Sequence, residues 1–410
     1  MDFADTQEEA EYRAGVRAFL AAHAEPKRAD RPEISQRLPR LELLAAARTW
    51  QALKAEQGYA CITWRKEWGG QGGTPMQSVI FAQEEERYDV PAGIYQVGLG
   101  MCVPTVMTLA DDETKRRFVA PAVRGEEVWC QLFSEPAAGS DLAAVRTRAE
   151  RDGADWIVSG QKLWTTNADI ADFGLLLART DAGVPKHKGL TMFWVDMRSP
   201  GIEVRPIHQI TGKSAFNEVF LTDVRIADAQ RLGEVGGGWK AALVTLMNER
   251  LAVGGAKGAD YPELMTLARQ IPVGAGTALQ DAGFRQRLAD WYVQAEGIKL
   301  TRLRAITALS RGQTPGPESS IGKIVTANQL QDLASYAVEL QDQFGLIDDR
   351  ARSPMAAIFQ QGLLKAPGSR IAGGTDEILR NIIAERVLGL PPEPRVDKDT
   401  PFRDLTIGRS

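Results

Sequence analysis

The spacing of apolar and polar positions changes twice along the chain. Residues 1–127 follow the period of a helix, residues 128–235 contain short apolar runs separated by Gly, Pro and Asp, and the helical period returns over 236–390. Residues 391–410 combine prolines with many charges and are expected to form an extended C-terminal arm. This order predicts an α+β fold with an N-terminal helical domain, a central antiparallel β-domain and a C-terminal helical domain.

The individual elements follow from the same pattern. Thr6 followed by Glu9 is typical of a capping box, and the helix that it opens is expected to run through Leu20. The other predicted helices are 41–57, one that begins at Met76, Asp111–Val123, Trp239–Val253, Phe284–Leu309, Ser319–Gln343 and Thr375–Val387. The predicted strands are Trp156–Val158, Phe173–Leu177, Leu190–Val195, Ile202–Pro206 and Glu218–Ile226. The glycine-rich segment between Trp64 and Pro75 is expected to be a loop.

Composition narrows the class of partner. The 410 residues carry a net charge of −4, so neither nucleic acid nor an anionic membrane surface is an expected partner. The three histidines are scattered and the three cysteines lack paired or metal-binding spacing, which indicates a reduced, cytoplasmic protein without a metal site. The N-terminal residues contain no apolar signal core, and no apolar run is long enough to span a bilayer.

Two polar clusters about twenty residues apart are the strongest candidates for a ligand site. Ser134–Asp141 is small, polar and glycine-bearing, so its backbone N–H groups can approach a flat ligand. The second cluster ends in Trp164, Thr165 and Thr166, an aromatic face beside two hydroxyl groups. Between them Asp152-Gly153 predicts a tight turn of a β-hairpin, which would bring both clusters to one site.

The two clusters together resemble the signature of the acyl-CoA dehydrogenase family, a group of FAD-dependent enzymes. The matching segments are Ser134–Asp141 (S-E-P-A-A-G-S-D) and Gly160–Asn167 (G-Q-K-L-W-T-T-N), in the family's order and spacing. Either segment alone is better interpreted as a glycine-rich turn or a buried Trp in an ordinary hairpin. Their joint occurrence favours the family, and the resemblance implies FAD as cofactor.

The resemblance also implies roles for individual residues. Trp164 would stack on the flavin ring, backbone groups of Phe133 and Ser134 would meet its polar edge, and Ser140 would serve an anionic part of FAD or of the substrate. The positions in the β-domain that the family pattern assigns to the cofactor are Phe133, Ser134, Ser140, Trp164, Thr165 and Thr166. Glu135 and Asp141 are instead expected to hold the loop through hydrogen bonds from side chain to backbone.

A second family signature lies near the C-terminal end, over Ile371–Gly389. Gly373 and Gly374 precede a helix start and form a plausible anion nest for substrate, with Thr375 and Glu377 in contact with FAD. The alternative is an ordinary helix cap with Thr375 as N-cap, and both interpretations can hold together. The family's Arg-x-x-Phe-Gly flavin segment is not visible before the helix at 284, which leaves the site of the FAD adenosine unassigned.

The catalytic base is expected at Glu249. Many family members place a glutamate where this chain has Gly373, whereas others place it in a helix after the β-domain, directly before an arginine. Here that position reads Asn248-Glu249-Arg250. Apolar neighbours would raise the pKa of Glu249. The alternative is a solvated Glu–Arg pair on a helix surface, and Arg250 would either meet the ligand or brace the helix.

The resemblance implies dehydrogenation of an acyl-CoA thioester, with the α-proton taken by a glutamate and the β-hydride by the flavin. Electrons would pass to an electron-transferring flavoprotein, and the chain would form a homodimer or homotetramer, because the family completes its FAD site across subunits. Two alternatives stay open. One is a flavin oxidase or monooxygenase on the same fold. The other is a non-catalytic subunit of a hetero-oligomer, because Gly373 stands where many family members carry the catalytic glutamate. The acyl group stays unspecified.

Overall fold

The computed structural model describes most of the chain. Outside the described residues lie the ends, several short internal segments and a few further side chains. The described residues are 5–28, 31, 33–252, 259–311, 316, 317, 320–394 and 397–405, without the side chains of 36, 249–252, 309 and 310.

The chain folds as two compact units. The first comprises Met1–His208, Ser214–Ala252 and Arg395–Ser410, and the second comprises Gln209–Lys213 and Val253–Pro394. Helices followed by a mostly antiparallel sheet make up most of the first unit, and helices make up most of the second. The predicted α+β class is therefore confirmed.

The first unit begins with helices whose starts are set by local capping. Thr6 accepts from the backbone of Glu9, whose side chain returns to Thr6, so the predicted capping box is confirmed. A π-helical turn, Gly98–Cys102, leads into α5, and a 3₁₀ turn, Lys66–Trp68, lies in the segment predicted as a loop. The helices are α1 Gln7–His23, α2 Ile34–Arg37, α3 Arg40–Glu56, α4 Pro75–Glu85, α5 Val103–Leu109, α6 Asp112–Val123 and, after the sheet, α7 Gly238–Ala252.

The sheet of the first unit is eight-stranded. Its strands are β1 Trp129–Leu132, β2 Arg148–Asp152, β3 Asp155–Thr166, β4 Phe173–Arg179, β5 Leu190–Asp196, β6 Ile202–Ile207, β7 Phe216–Ala227 and β8 Arg231–Leu232. They lie in the order β6-β7-β3-β2-β4-β5-β8, with β1 also paired to β4. The sheet is mostly antiparallel, as predicted, and it has two parallel pairings, since β1 and β2 both pair parallel to β4. Only strands joined by a short hairpin must be antiparallel, and neither of these pairs is so joined.

Aromatic packing fixes the start of β1 against the helical layer. Trp129 is 1% exposed and meets Phe118 of α6 edge-to-face, with 5.1 Å between the ring centroids. Phe173 of β4 lies against both rings. Such pairs stabilise beyond their buried area by about 0.5–1.5 kcal/mol. Aromatic packing therefore holds β1, the strand that leads into Phe133 and Ser134, against α6 and β4.

The second unit is built from helices around a core that includes Trp291, Phe284, Leu333 and Phe359. Its helices are α8 Tyr261–Ala268, α9 Ala282–Ser310, α10 Ser320–Leu340, α11 Ile358–Ile371 and α12 Asp376–Arg386. A two-stranded ribbon, β9 Pro272–Val273 and β10 Gly276–Thr277, precedes α9.

Helix α11 is absent from the sequence prediction. Its sequence contains Gly362, Pro367 and Gly368, which are typical of breaks rather than of helix interiors. Gly362 lies against α10, where an added Cβ would come within 3.4 Å of Ala334. Tertiary packing therefore stabilises this helix, although the local sequence has a low helix propensity.

Candidate active site

The predicted hairpin joins the two polar clusters. β2 and β3 pair antiparallel with Asp152 opposite Asp155, so the turn residues are Gly153 and Ala154, one position later than the predicted dipeptide. Gly153 takes φ +60°, the left-handed conformation that favours glycine. At the far end of β3, the Leu163 N–H donates to the Ser134 carbonyl over 2.8 Å. The expectation that the clusters meet is confirmed.

Trp164 lies in an unusual backbone conformation. Its φ is +59°, and the pairing of β3 with β7 shifts register between Lys162 and Thr165. The indole is 54% exposed and touches the edge of Phe216, with centroids 5.9 Å apart and planes perpendicular. A left-handed tryptophan costs about 1–2 kcal/mol, and strain of this kind concentrates at functional sites. The exposed indole offers a surface on which a flat ring can stack.

The remaining predicted flavin contacts divide by exposure. Ser134 and Thr166 are partly exposed, whereas the Phe133 and Thr165 side chains are buried. The Thr165 hydroxyl finds no hydrogen-bond partner among the described residues, while its carbonyl accepts from Asn217 over 3.1 Å. Phe133 and Thr165 can therefore contact a ligand only through their backbone groups. Ser134 and Thr166 can contact it through their hydroxyl groups as well.

A buried lysine that sequence analysis missed fixes the first cluster to the strands beneath it. Lys162 is 0% exposed, and its ammonium group donates to Glu135 Oε1 at 2.7 Å, to the Leu177 carbonyl at 2.7 Å and to the Phe133 carbonyl at 3.1 Å. Three donors meet three acceptors, so the buried charge is fully satisfied. Burial lowers the pKa of Lys162, an effect that the Glu135 carboxylate opposes.

Glu135 holds the signature loop as predicted. Its carboxylate accepts from the Arg146 N–H at 2.6 Å and from the Thr147 N–H at 2.9 Å. Burial alone would raise the pKa of Glu135, but the Lys162 charge and these hydrogen bonds hold it below its usual value. The carboxylate is therefore ionised and structural at neutral pH.

Asp141 behaves differently from the prediction. Instead of bonding to the backbone, its carboxylate pairs with the Lys186 ammonium at 2.9 Å. Sequence analysis could not place Lys186, which lies 45 residues away in the β4–β5 connection. Gly139 and Ser140, directly before Asp141, are exposed at the tip of the loop.

The residue directly after the second cluster, which ends the family segment Gly160–Asn167, was also missed. Asn167 has φ +63°, a conformation that asparagine tolerates better than most residues. Its amide donates to the Ile94 carbonyl at 3.0 Å and accepts from Arg40 at 2.8 Å. The end of β3, directly after Trp164 and its neighbours, is thus tied to the helical layer.

The C-terminal signature forms a glycine turn and a capped helix in the second unit. Gly373 and Gly374 have φ of +65° and +91°, and Thr375 caps α12 by accepting from the Ile378 N–H at 3.3 Å. Glu377 is exposed in the first turn, where hydrogen bonds from its own backbone and from Thr375 lower its pKa. The N-cap interpretation is therefore confirmed, and an anion nest is compatible with it.

Two charged residues that sequence analysis missed hold this turn. Lys323 of α10 donates to the Gly374 carbonyl at 2.8 Å. Asp376 is 2% exposed and accepts from Arg370 at 2.8 Å and from Asn328 at 3.0 Å. Burial would raise the pKa of Asp376, but these donors keep it below its usual value.

The Glu249 and Arg250 side chains lie outside the described residues, although the backbone of α7 is described through Ala252. One turn earlier, the buried Thr245 hydroxyl meets the Thr105 hydroxyl at 2.9 Å, which pins α7 to α5. Apolar neighbours are expected around Glu249, but Met247, two residues earlier, is 60% exposed. Within the described part of the first unit, that apolar environment is therefore incomplete.

The described residues contain no cluster of metal ligands, and none of their helices is long and apolar enough to cross a membrane. Cys61, Cys102 and Cys130 are all free. Burial raises the pKa of Cys61 to about 12, so its thiol is unreactive at neutral pH.

Comparison with known proteins gives a family match over nearly the whole chain. The N-terminal, middle and C-terminal domains of acyl-CoA dehydrogenase match residues 6–126, 130–224 and 236–388.

Two curated relatives come from Mycobacterium tuberculosis. The acyl-CoA dehydrogenase FadE34 is 38% identical over 385 residues, covering 92% of this chain and 51% of FadE34. The chain therefore spans about half the length of that relative. The acyl-CoA dehydrogenase IpdE1 is 34% identical over 395 residues, covering 95% of this chain and 100% of IpdE1.

Two solved structures share the fold. The ChsE4–ChsE5 complex from Mycobacterium tuberculosis contains a chain with a TM-score of 0.76 and 27% identity, with 96% of this chain and 100% of that chain covered. A structure described as the Tcur3481–Tcur3483 steroid ACAD has a TM-score of 0.77 and 24% identity, with 96% and 100% covered. The second similarity concerns the fold alone.

Proposed function

The chain belongs to the acyl-CoA dehydrogenase family of FAD-dependent oxidoreductases, and we propose that it removes a proton and a hydride from the α- and β-carbons of an acyl-CoA thioester. The observation that carries the proposal is Trp164, a strained and exposed indole held next to the Ser134 segment by one hairpin. A packing role alone would favour a buried indole in a relaxed conformation.

The residues of the first unit fit a flavin. The Trp164 indole would lie against the ring, the backbone of Phe133 and Ser134 would meet its polar edge, and the Ser134 and Thr166 hydroxyls would add hydrogen bonds. When bound, FAD supplies the hydride acceptor. Thr375 and Glu377 in the second unit would contribute further contacts to FAD.

Glu249 is the proposed base for the α-proton. An α-C–H is a weak acid, so its removal requires a positioned base and hydrogen-bond donors at the thioester carbonyl. Gly373 has no side chain to serve as base, although its N–H can donate to a carbonyl. Arg250, Gly374 and Ser140 are the further candidates for substrate contacts.

The substrate is proposed to be a CoA thioester with a bulky cyclic acyl group. One relative is described as a cyclohexane-1-carbonyl-CoA dehydrogenase. That name points to an alicyclic rather than a short straight-chain acyl group. Electrons would leave through an electron-transferring flavoprotein, and the chain would work in the cytoplasm.

We also propose that the chain works in an oligomer with a second chain of the same fold. FadE34 is about twice as long as this chain, and ChsE4–ChsE5 is a complex of two different proteins. The family segment Arg-x-x-Phe-Gly is not visible before α9, so a related partner is the better source of that part of an FAD site. A homodimer or homotetramer stays the alternative, and sedimentation of the FAD-loaded protein distinguishes the two.

One experiment separates the enzyme classes. The protein is purified alone and with a co-expressed related chain, and its flavin absorbance is followed anaerobically while steroid-side-chain or cyclohexane-carbonyl CoA is added. Bleaching that a flavoprotein acceptor reverses supports the dehydrogenase. Rapid recovery in air with release of hydrogen peroxide supports an oxidase. Flavin that never bleaches with any thioester, even with the partner present, supports a non-catalytic subunit.

A further inference from the structure

The C-terminal arm returns to the β-sheet unit instead of extending away from it. Residues 397–405, here called the strap, lie along the β4–β5 connection. The Phe402 N–H donates to the Val184 carbonyl at 2.9 Å, and the Arg403 N–H donates to the Ala182 carbonyl at 3.0 Å. Two backbone hydrogen bonds so close together give the strap a defined register on that connection.

The strap reaches the signature loop through an aromatic contact. The Phe402 ring covers the Arg179 guanidinium, whose carbon lies 3.6 Å from the ring centroid. Arg179 is 4% exposed and donates to the Ala143 carbonyl at 2.6 Å and to the Val145 carbonyl at 3.0 Å. Burial lowers the pKa of Arg179 to about 10, so the guanidinium stays charged at neutral pH. Phe402 therefore shields the Arg179 guanidinium from water, and this guanidinium holds the backbone at Ala143 and Val145.

A second contact runs through Lys186. Its ammonium group lies 2.7 Å from a carboxylate oxygen of Asp397 in the strap and 2.9 Å from one of Asp141 in the loop. The Lys186 side chain is only 12% exposed. One lysine thus links the strap to the residue that directly follows the exposed Ser140.

Both contacts converge on one short segment, residues 139–145, here called the tip loop. Its outer part, Gly139 and Ser140, is exposed, and a Cβ added to Gly139 would meet no atom within 4 Å. Its inner part, Leu142–Ala144, is a buried 3₁₀ turn. The strap therefore contacts the buried inner part of the tip loop and leaves Gly139 and Ser140 accessible to a ligand.

We propose that the strap is a positioning element, which holds the tip loop in the conformation that receives the diphosphate of an adenine nucleotide ligand. The inference rests on the proposed function and on the family pattern, which assigns Ser140 to an anionic part of FAD or of the coenzyme A substrate. Both ligands carry this diphosphate. Without the strap, the Arg179 guanidinium would be hydrated and the Ala143 and Val145 carbonyls would lose a fixed donor, so the loop would sample more conformations.

The test compares four variants of the 410-residue chain. Phe402→Leu keeps an apolar side chain but removes the ring, whereas Phe402→Tyr retains a ring. Arg403→Ala is the matched control, because the Arg403 side chain is 70% exposed and its ion-pair partner is the neighbouring Asp404. Asp397→Asn, which weakens only the Lys186 link, serves if Phe402→Leu does not fold.

The first measurement is amide hydrogen exchange in peptides that cover 139–147 and 155–166. Phe402→Leu should accelerate exchange in the first peptide by about fivefold, a typical effect of one lost cation–π contact. In the same variant, exchange in the β3 peptide should stay unchanged. In Arg403→Ala, exchange in both peptides should stay at the parent rate, and Phe402→Tyr should also keep the parent rate. Equal exchange in Phe402→Leu and parent, or an equal rise in Arg403→Ala, overturns the proposal.

The second measurement is calorimetric titration of FAD into apoprotein and of coenzyme A into FAD-loaded protein, each with and without the co-expressed related chain. Phe402→Leu should weaken one of the two by about fivefold, and the ligand affected identifies the source of the diphosphate. Unchanged affinity for both overturns the positioning role. A parent protein that binds neither ligand, alone or with the co-expressed related chain, overturns the proposed function, and the exchange data then decide alone whether the strap holds the loop.

Discussion

The Lys162 ammonium group donates to Glu135 over 2.7 Å in a place where the lysine is 0% and the glutamate side chain 5% exposed. This pair lies directly beneath Phe133 and Ser134, since the same lysine also donates to the Phe133 carbonyl. Two signature segments that are separated in sequence are therefore joined by one buried charge.

Lys162→Met should destabilise the protein strongly. The substitution leaves the Glu135 carboxylate buried without its main partner, which typically costs about 3–5 kcal/mol. The free energy of unfolding, measured with urea, gives the loss. The double variant Lys162→Met with Glu135→Leu should recover part of it, because no unpaired charge is then buried. A single variant as stable as the parent contradicts this account.

The same pair predicts a loss of stability in acid. The pKa of Glu135 is lower in the folded protein than in the unfolded chain, so its contribution is present above the unfolded pKa, about 4.3, and is lost as the pH falls through the folded pKa. Urea midpoints measured from pH 7 downward should decline less steeply in Glu135→Gln than in the parent. Parallel pH profiles would show that other carboxylates dominate.

Trp164→Gly should separate stability from ligand binding. Glycine relieves the left-handed strain of about 1–2 kcal/mol but adds about 0.5–1 kcal/mol of backbone entropy in the unfolded chain. The apoprotein should therefore be as stable as the parent or slightly more stable, while FAD affinity falls. Trp164→Ala should lose affinity equally without the gain in stability. Unchanged FAD affinity and flavin spectrum in both variants would remove Trp164 from the site.

Glu249→Gln should slow flavin reduction by at least about 10²-fold, the lower range for a lost general base. Stopped-flow reduction by a confirmed thioester substrate measures the step directly, and substrate affinity should change little. Glu234→Gln is the control, because Glu234 is exposed shortly before the same helix. Reduction of Glu249→Gln at the parent rate would rule out Glu249 as the base.

The sequence predicted local structure correctly where contacts between neighbouring residues determine it. The capping box at Thr6, the turn at Gly153 and the helix start at Thr375 all depend on contacts within a few positions. Glu135 was also assigned correctly, since its backbone partners lie about a dozen positions away in the same segment.

Contacts between distant positions could not be predicted in this way. The role of Lys162 could not be predicted, because its acceptors are distant in sequence: Phe133 directly follows β1, and Leu177 belongs to β4. The return of Phe402 to Arg179 spans more than half the chain. Parallel pairing of β1 with β4 likewise joins segments that are distant in sequence.

The exposure of Trp164 gives the protein an intrinsic optical reporter. All nine tryptophans lie in described parts of the chain, and eight of them are buried or partly buried, which leaves Trp164 as the exposed one. Iodide in solution should therefore quench a distinct, red-shifted fraction of the indole emission. Any ring that stacks on Trp164 will shield that fraction, so docking at this position can be followed without a label and without turnover.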